Sequence, residues 1–376
     1  MRSFGRCPRR SSAKSCSPTV SGSLASPTDG PRAGLDAALL HPVRLGPLTA
    51  ADNLWLAPMA GYTDAAFRAI CARHGATLCF TEMVSAEGLA HDSRPTLRLL
   101  ERRPEETIYG VQIFCSDPVS AAVSARRIGA YQPAILDLNC GCSVPKILKG
   151  GCGAALLRDP RRIGAIVRAM RAETGIPVSV KLRLGWDASS LTYLTCAEEA
   201  VSAGAVLVAL HPRTRSQGFG GKAEWEHIQR LKRASSVPVF GSGDLLSPDA
   251  CLSMLRDTGC DGILIARGTL GNPFIFEQTR ALLTGRPMVL PDARQRLAVA
   301  MDHLRMTAGL VGEPKACRDM RKHFVAYTRG MEGGAALRQA LVHAVTLAQY
   351  EGIVAEYLGD PSPDRPPSPD GRSSPD

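Results

Sequence analysis

Short apolar runs alternate with amphipathic stretches of helical period along most of the chain. The runs begin near Leu54 (LWLAP), Ala76 (ATLCFTEMV), Thr107 (TIYGVQIF), Ala134 (AILDLN), Val178 (VSVKLRL), Ala205 (AVLVALH), Val237 (VPVFGSG) and Gly262 (GILIARG). Their mean spacing is about 30 residues, the size of one strand–helix unit. Asp117-Pro118, Asp159-Pro160 and Ser247-Pro248 supply helix starts between them, with Pro at the first helical position, where a missing N–H is harmless. Eight such units predict an α/β fold of the (β/α)8 type, the TIM barrel, because an open doubly wound sheet rarely needs eight parallel strands. From about Leu290 to Leu358 strand signals stop. A helical pattern broken at Gly309, Gly312, Gly330 and Gly333-Gly334 predicts a small all-helical domain of three or so helices. The expected organisation is a barrel over residues 41–287, a helical domain over 288–358, and two flanks, 1–40 and 359–376.

Both flanks differ from this core in composition. Residues 1–40 are rich in Ser, Pro, Arg and Gly and carry no apolar period, which predicts a disordered basic extension. Arg- and Ser-rich, acid-poor segments also serve as organelle transit peptides. Met1 to Gly34 forms no amphipathic helix, however, and lacks the apolar centre of a secretory signal, so an extension or an upstream start is the better reading. The Pro/Ser/Asp-rich end, 359–376, reads as a disordered tail. Hydrophobic residues at 44% and charged residues at 21% exclude a wholly disordered or fibrous chain. Runs such as Ala205 to Leu210 fall far short of the ~18 apolar residues needed to cross a bilayer.

The net charge of +10 attracts polyanions, although about half of it lies in the first 32 residues, where six basic residues face only Asp29. Twelve cysteines in a chain of 376 residues, without the spacing of a disulfide scaffold, suit free thiols and a cytoplasmic setting. A monomer without a stable protein partner is expected.

In such a barrel the chemistry sits at the C-terminal ends of the strands. The runs end in Pro58-Met59-Ala60-Gly61, Glu82, Gln112, Asn139-Cys140-Gly141-Cys142, Lys181 with Arg183, His211 with Arg213 and Arg215, Gly241-Ser242-Gly243-Asp244, and Ala266-Arg267-Gly268. Any one of these is a plain rim charge or backbone partner, but polar endings at nearly every strand point to an active rim. The last two are glycine-rich and fall where such barrels bind phosphate through main-chain N–H groups. With Lys181 and Gln112 deeper in the mouth, they suit FMN: Lys181 would stabilise charge at N1/O2 of the reduced ring and Gln112 would bond its polar edge. Cys140, Cys142 and Cys152 lack a further His or Cys at zinc-site intervals, so no metal is expected. Cys142, followed by Lys146 and Lys149, reads instead as a catalytic thiol whose thiolate the two lysines favour. Cys71, Cys79 and Cys196 read as buried packing residues.

Taken in order, LAPMAGYTD (Leu56 to Asp64), VQIF (Val111 to Phe114), DLNCGCSVPKILKGGCGAALL (Asp137 to Leu157), VKLRLGW (Val180 to Trp186), LHPRTRSQ (Leu210 to Gln217), VFGSGD (Val239 to Asp244), DGILIARGTLGNPFIF (Asp261 to Phe276) and MRKHFVAYTRG (Met320 to Gly330) resemble the signatures of the tRNA-dihydrouridine synthases. The resemblance runs from about Val43 to Leu358. It implies a flavoenzyme in which NADPH reduces FMN, the flavin delivers hydride to C6 of a tRNA uridine, and Cys142 protonates C5. FMN contacts would be Pro58, Met59, Ala60, Gln112, Lys181, His211, Ser242-Gly243-Asp244 and Ala266-Arg267. Asn139 would bond the uracil, and Lys146, Arg213 and Arg215 would line the nucleotide entrance. Cys140, Ser143, Ser242 and Ala266 depart from the Met, Pro, Asn and Gly frequent in the family. Losing Pro at Ser143 frees a backbone N–H after the thiol.

The tRNA itself would lie on the helical domain. Lys315, Arg318, Lys322 and Arg329 recur at i, i+3, i+7 and i+14, which predicts one basic helix face, away from the cofactor, tracking phosphates. The target uridine would have to swing out of the RNA to enter the barrel. Two other readings are weaker. A flavin barrel acting on a free pyrimidine, like the dihydroorotate dehydrogenases, leaves the basic helices without a role. A noncatalytic RNA-binding protein leaves Cys142, Lys181 and Gln112 unexplained.

Overall fold

The computed structural model describes residues 36–360. A hairpin of β1 (Val43–Leu45) and β2 (Leu48–Ala50) precedes β3 (Leu54–Leu56), β4 (Cys79–Ser85), β5 (Tyr109–Phe114), β6 (Ile135–Cys140), β7 (Val178–Arg183), β8 (Leu207–His211), β9 (Val239–Ser242) and β10 (Gly262–Ile265). Strands β3 to β10 are the eight runs expected from the sequence. They pair in parallel and close with β10 beside β3, forming the (β/α)8 barrel. Around them lie α1 (Ala65–Arg73), α2 (Ala86–Ala90), α3 (Arg94–Arg98), α4 (Pro118–Gly129), α5 (Pro145–Lys149), α6 (Pro160–Glu173), α7 (Tyr193–Ser202), α8 (Glu226–Ala234), α9 (Pro248–Thr258) and α10 (Ile275–Leu283). Asp117, Asp159 and Ser247 cap α4, α6 and α9, each side chain accepting from first-turn N–H groups ahead of a Pro at the helix start.

Strand periodicity divides the core in two. Leu136 and Leu138 of β6 and Val178, Val180 and Leu182 of β7 pack outward under the helices. The alternate residues point into the barrel, and at its floor they are apolar: Trp55, Phe80, Ile135, Leu207, Phe240 and Leu264, closed from below by Val43, Leu45 and Ala50 of the hairpin. Trp55 and Phe240 stack with ring centroids 4.2 Å apart. One step further up, the same columns carry Gln112, Asp137, Asn139, Ser179 and Lys181. Register pairs Gln112 with Asp137, Asp137 with Ser179, and Asn139 with Lys181. The floor is therefore a packed apolar plug, and the polar groups collect above it at the mouth.

After the barrel come four helices, α11 (Ala293–Val311), α12 (Glu313–Tyr327), α13 (Gly334–His343) and α14 (Leu347–Leu358), rather than three. Gly309 is not a break; it is an exposed residue inside α11, where a glycine costs only about 1 kcal/mol. Gly312, Gly330 and Gly333 do interrupt the helices, all with positive φ. This unit has its own core around Leu304, Met320, Phe324 and Tyr350. It seats on α1 through Met306 against Ala66, Ala69 and Ile70. The flanks expected at 1–40 and 359–376 lie mostly outside the described residues. Where they fall within, they are ordered: the carbonyl of Leu39 accepts from Asn53 at 2.8 Å, and Asp360 accepts two hydrogen bonds from Arg294 at 2.8 and 2.9 Å. No helix among the described residues is long and apolar enough to cross a membrane.

The seam between α1 and the helical unit holds two histidines. Phe67 lies 5.3 Å from both His303 and His323, whose rings meet edge-on at 4.5 Å. Nε2 of His303 and Nδ1 of His323 have no hydrogen-bond partner. Burial pushes His303 down to about 3, helped by Lys322. Burial also drives His323 well below its ordinary value, with His303 and Lys322 adding to the effect and Asp64 and Asp319 opposing it. A histidine with a depressed folded pKa takes up protons on unfolding, so its contribution is intact above pH 6.5 and is lost as pH falls toward about 3. The urea midpoint is therefore expected to drop as pH falls below 6.5, and His323→Phe should flatten that drop. An equally steep loss in the variant would remove the seam histidines as its cause.

Candidate active site

A cavity of about 440 Å³ opens at the C-terminal ends of the strands, within the size range of small-molecule sites. Gln112 spans its inner wall. Nε2 of Gln112 donates to Asp137 at 2.7 Å, while its Oε1 accepts from Asn139 at 2.7 Å. Ser179 donates to the other oxygen of Asp137 at 2.6 Å. Asn139 in turn accepts from the N–H groups of Gly141 and Cys142 at 3.1 and 2.9 Å, which folds the loop carrying the thiol back over the cavity. The other amide hydrogen of Asn139 meets only the sulfur of Met83, a weak acceptor 4.0 Å away that also lines the cavity.

Lys181 lines this wall, yet its ammonium makes no hydrogen bond to any described residue. Burial, then the Arg183 charge, lower it to about 8, while Asp137 acts the other way. Burial raises Asp137 to about 6 against the hydrogen bonds of Gln112 and Ser179. At neutral pH the pair is Lys⁺ and carboxylate, with three unfilled N–H donors aimed at the cavity. His211 carries no charge: burial first, then Lys181, Arg183, Arg213 and Arg267, push its imidazole down to about 2. Nε2 of His211 meets a donor from Arg213 at 3.2 Å, so the ring proton sits on Nδ1.

On the far wall, the N–H groups of Gly243, Asp244, Arg267 and Gly268 find no acceptor among the described residues. Gly243 (φ +108°) and Asp244 (φ +58°) form a left-handed pair, and a Cβ on Gly243 would strike His211 at 2.8 Å. The Asp244 carboxylate does not spoil this anion cradle. Burial raises its pKa, but hydrogen bonds from Arg213 and Ala223, both 2.8 Å, outweigh that and keep it below the ordinary value. The four free N–H groups, Arg267 and the unfilled Lys181 fit a phosphate-bearing, ring-shaped cofactor such as FMN.

The two cysteines of the CGC motif separate cleanly. Cys142 borders the cavity, whereas Cys140 is fully buried among the outward-facing apolar residues. The expected help from Lys146 and Lys149 does not materialise. Both are exposed on α5, and the cation acting on Cys142 is Arg183. Burial is the larger effect and raises the thiol, correcting the expectation of thiolate character.

All of the residues expected to hold FMN line the cavity, as do Asn139 and Cys142. The expected tRNA residues do not. Arg213 is not at the entrance; it is 1% exposed, and its guanidinium is used up on Asp244 and the carbonyls of Gly220 and Gly221. Arg215 lies outside the cavity over Trp186, 4.5 Å from the ring centroid, with Arg158 on the same indole at 3.7 Å. Lys315 pairs with Asp319, and Arg318 is exposed. Helix α12 ends at Tyr327, so Arg329 is in the following turn and off the helix face. Lys322 points at the barrel, where it donates to the carbonyl of Gly61 and sits 4.6 Å over the Tyr62 ring, so the basic face is not remote from the cavity.

The pattern of the dihydrouridine synthase family matches residues 55–357. The chain belongs to the dihydrouridine synthase family. A probable tRNA-dihydrouridine synthase of Treponema pallidum is 44% identical over 85% of this chain and 97% of its own length. The tRNA-dihydrouridine synthase B of Pasteurella multocida is 35% identical over 84% and 95%. Among solved structures, histamine dehydrogenase from Rhizobium sp. 4-9 (TM-score 0.55, 17% identity, 72% of this chain and 51% of that one) is similar. So is a 2-naphthoyl-CoA reductase (TM-score 0.54, 13% identity, 67% and 53%). The chain spans about half of each of those proteins, and the likeness is one of fold.

In this dihydrouridine synthase family member, the cavity residues Tyr62 and Phe219, and Asp137 behind Gln112, escaped the sequence reading as site residues. Asp137 had a usable signal, since Asp-x-Asn beside Ser-x-Lys-x-Arg is period two and puts all five polar side chains inside the barrel. Phe219, 64% exposed between Arg183 and Arg267, had none, because its loop position is set by those two guanidiniums. Of the two cysteines of the motif, the geometry makes Cys142 the one that reagents reach. Iodoacetamide is expected to modify Cys142 and spare Cys140, slowly at pH 7 and faster above pH ~9, as the raised thiol ionises. Peptide mass spectrometry showing equal labelling of the two would contradict their separation.

Proposed function

We propose that the protein is an FMN-dependent tRNA-dihydrouridine synthase that reduces the C5=C6 bond of tRNA uridines with NADPH as reductant. Family membership supports the reaction class. The observation that carries the assignment to residues is the half-buried Cys142 thiol bordering the same cavity as the unfilled Lys181 ammonium. Held in this cavity, reduced FMN would supply the hydride that C6 of the uracil receives.

The protein's own groups account for the rest. Lys181 holds positive charge against the ring where negative charge accumulates. Gln112, fixed by Asp137, bonds the ring's polar edge, and Gly243, Asp244, Arg267 and Gly268 hold the phosphate. Asn139 gives up its weak contact with the Met83 sulfur and offers that N–H to a uracil carbonyl. Cys142, protonated at neutral pH because burial raises it, gives its proton to C5, and Arg183 stabilises the thiolate left behind. The helical unit from Ala293 onward, with its exposed Arg318, together with Lys146 and Arg215 of the barrel, takes the tRNA backbone. Twelve cysteines without disulfide spacing support a cytoplasmic enzyme.

Purified protein is expected to be yellow with noncovalent FMN, and Lys181→Ala should lower flavin occupancy or slow its reduction by NADPH. Cys142→Ala should keep FMN and NADPH oxidation while cutting dihydrouridine formation by ~10²–10⁴-fold, the usual weight of a general acid. Nucleoside mass spectrometry on unmodified tRNA, reading uridines that gain two mass units, decides it. A colourless protein that cannot be reconstituted, or equal losses from Cys140→Ala and Cys142→Ala, would sink the assignment.

Arg215→Ala and Arg318→Ala should each weaken tRNA binding and lower its salt slope by about one. Unchanged slopes would return both arginines to ordinary surface charge.

A further inference from the structure

The loop joining β3 to α1 lines the cavity through Pro58, Met59, Ala60 and Tyr62. It is a tight turn, with the N–H groups of Tyr62 and Thr63 both donating to the Met59 carbonyl at 3.0 Å. At its tip Gly61 adopts φ +76°, a conformation that turns its N–H and C=O outward in different directions. Both are taken. The N–H donates to the carboxylate of Glu82 at the C-terminal half of β4, and the C=O accepts from Lys322 of α12, 261 residues away in the chain. A Cβ on Gly61 would come within 3.8 Å of the Lys322 ammonium. The same ammonium covers the Tyr62 ring at 4.6 Å, and Tyr62 meets His323 edge-on at 5.4 Å.

The foot of the loop is fixed separately. Arg68 donates to the Thr63 carbonyl at 3.0 Å while held by Glu106 at 2.7 Å in a fully buried ion pair. Two of the loop's three anchors, Glu82 and Arg68, therefore belong to the barrel. Lys322 belongs to the helical unit.

We propose that Lys322 and Glu82 are positioning residues that hold Gly61 from its two sides and so set the cofactor-facing wall Pro58–Tyr62, coupling the seating of the helical unit to flavin binding. This rests on the reading that FMN occupies the cavity. It also removes Lys322 from the phosphate track: an ammonium committed to a carbonyl and an aromatic face is poorly available to RNA. The grip is a charge-assisted hydrogen bond plus a cation–π contact, partly open to solvent.

The test uses the full-length protein in three measurements, FMN affinity, loop hydrogen exchange and the salt slope of tRNA binding, that separate a phosphate contact from a positioning residue. Lys322→Met should weaken FMN binding to the apo-protein, followed by flavin fluorescence quenching, by roughly three- to ten-fold, the scale of one such bond. It should speed amide hydrogen exchange in residues 59–62, with or without flavin, and leave the salt slope of tRNA binding unchanged. Lys322→Arg, which keeps a cationic donor, should restore most of the FMN affinity. Because Glu82 and Lys322 act on one residue, Glu82→Ala and Lys322→Met should be non-additive when combined. Arg318→Ala, on the same helix but off the loop, should show the reverse pattern: a flatter salt slope with loop exchange unaltered. Wild-type FMN affinity and loop exchange in Lys322→Met, with a salt slope lower by about one, would overturn the proposal and leave the FMN assignment standing. Wild-type protein that binds no FMN would overturn that assignment, and the coupling with it.

Discussion

A half-buried cation, Lys181, with no hydrogen-bond partner among the described residues governs the architecture of the barrel mouth. The Lys181 ammonium sits in the throat above an apolar plug, and desolvation is the largest of the effects that lower it to about 8. Asp137 supports the charge, but its carboxylate oxygens are already occupied by Gln112 and Ser179. The result is a site with net donor capacity: the carboxylate compensates the charge at a distance and leaves the ammonium's hydrogens unfilled. A direct Lys–Asp ion pair would satisfy both groups and leave nothing for a ligand. The same logic extends around the rim. Arg213 is consumed in holding Asp244 and the loop carbonyls, which frees the N–H groups of the Gly243 turn to face an anion.

The strand period decides which cysteine meets the cavity. Cys140 ends β6 in the outward column with Leu136 and Leu138, and it is a core atom like Cys71 or Cys196. Cys142, two residues on, would share that outward direction had the strand continued. It turns inward because the strand stops, and Asn139 captures the N–H groups of Gly141 and Cys142. Its thiol then lies where burial keeps it protonated, with Arg183 the nearby cation. That is the state a proton donor requires and the opposite of an activated nucleophile.

The helical unit is joined to the barrel by a seam of α1 residues, two uncharged histidines and the Lys322 contact with the cavity loop. A basic helix adjoining a barrel could have been an independent RNA-binding arm. Here one of its lysines, Lys322, is turned to the cavity loop, while Arg318, four positions earlier on the same helix, stays exposed.

Local pattern was enough for the barrel and for the residues around its cavity. Eight apolar runs at a regular spacing, proline-started helices and polar strand ends are nearest-neighbour properties of the chain, and a closed parallel barrel is the arrangement that buries all of them. Family signatures then made the cavity residues legible down to individual positions, because those residues hang from strand ends whose direction the strand period dictates. Residues whose role depends on where another segment docks were not legible. Spacing put Lys322 and Arg329 on one exposed face, but α12 ends at Tyr327 and the docking on α1 turns Lys322 toward Gly61. Arg213 looked like a rim cation until its burial beside Asp244 was in view. Lys146 and Lys149 are near Cys142 in the chain, yet the charge that reaches the thiol comes from Arg183 on the next strand. Electrostatics and long-side-chain contacts act through space between segments far apart in sequence, so the tertiary structure alone assigns them.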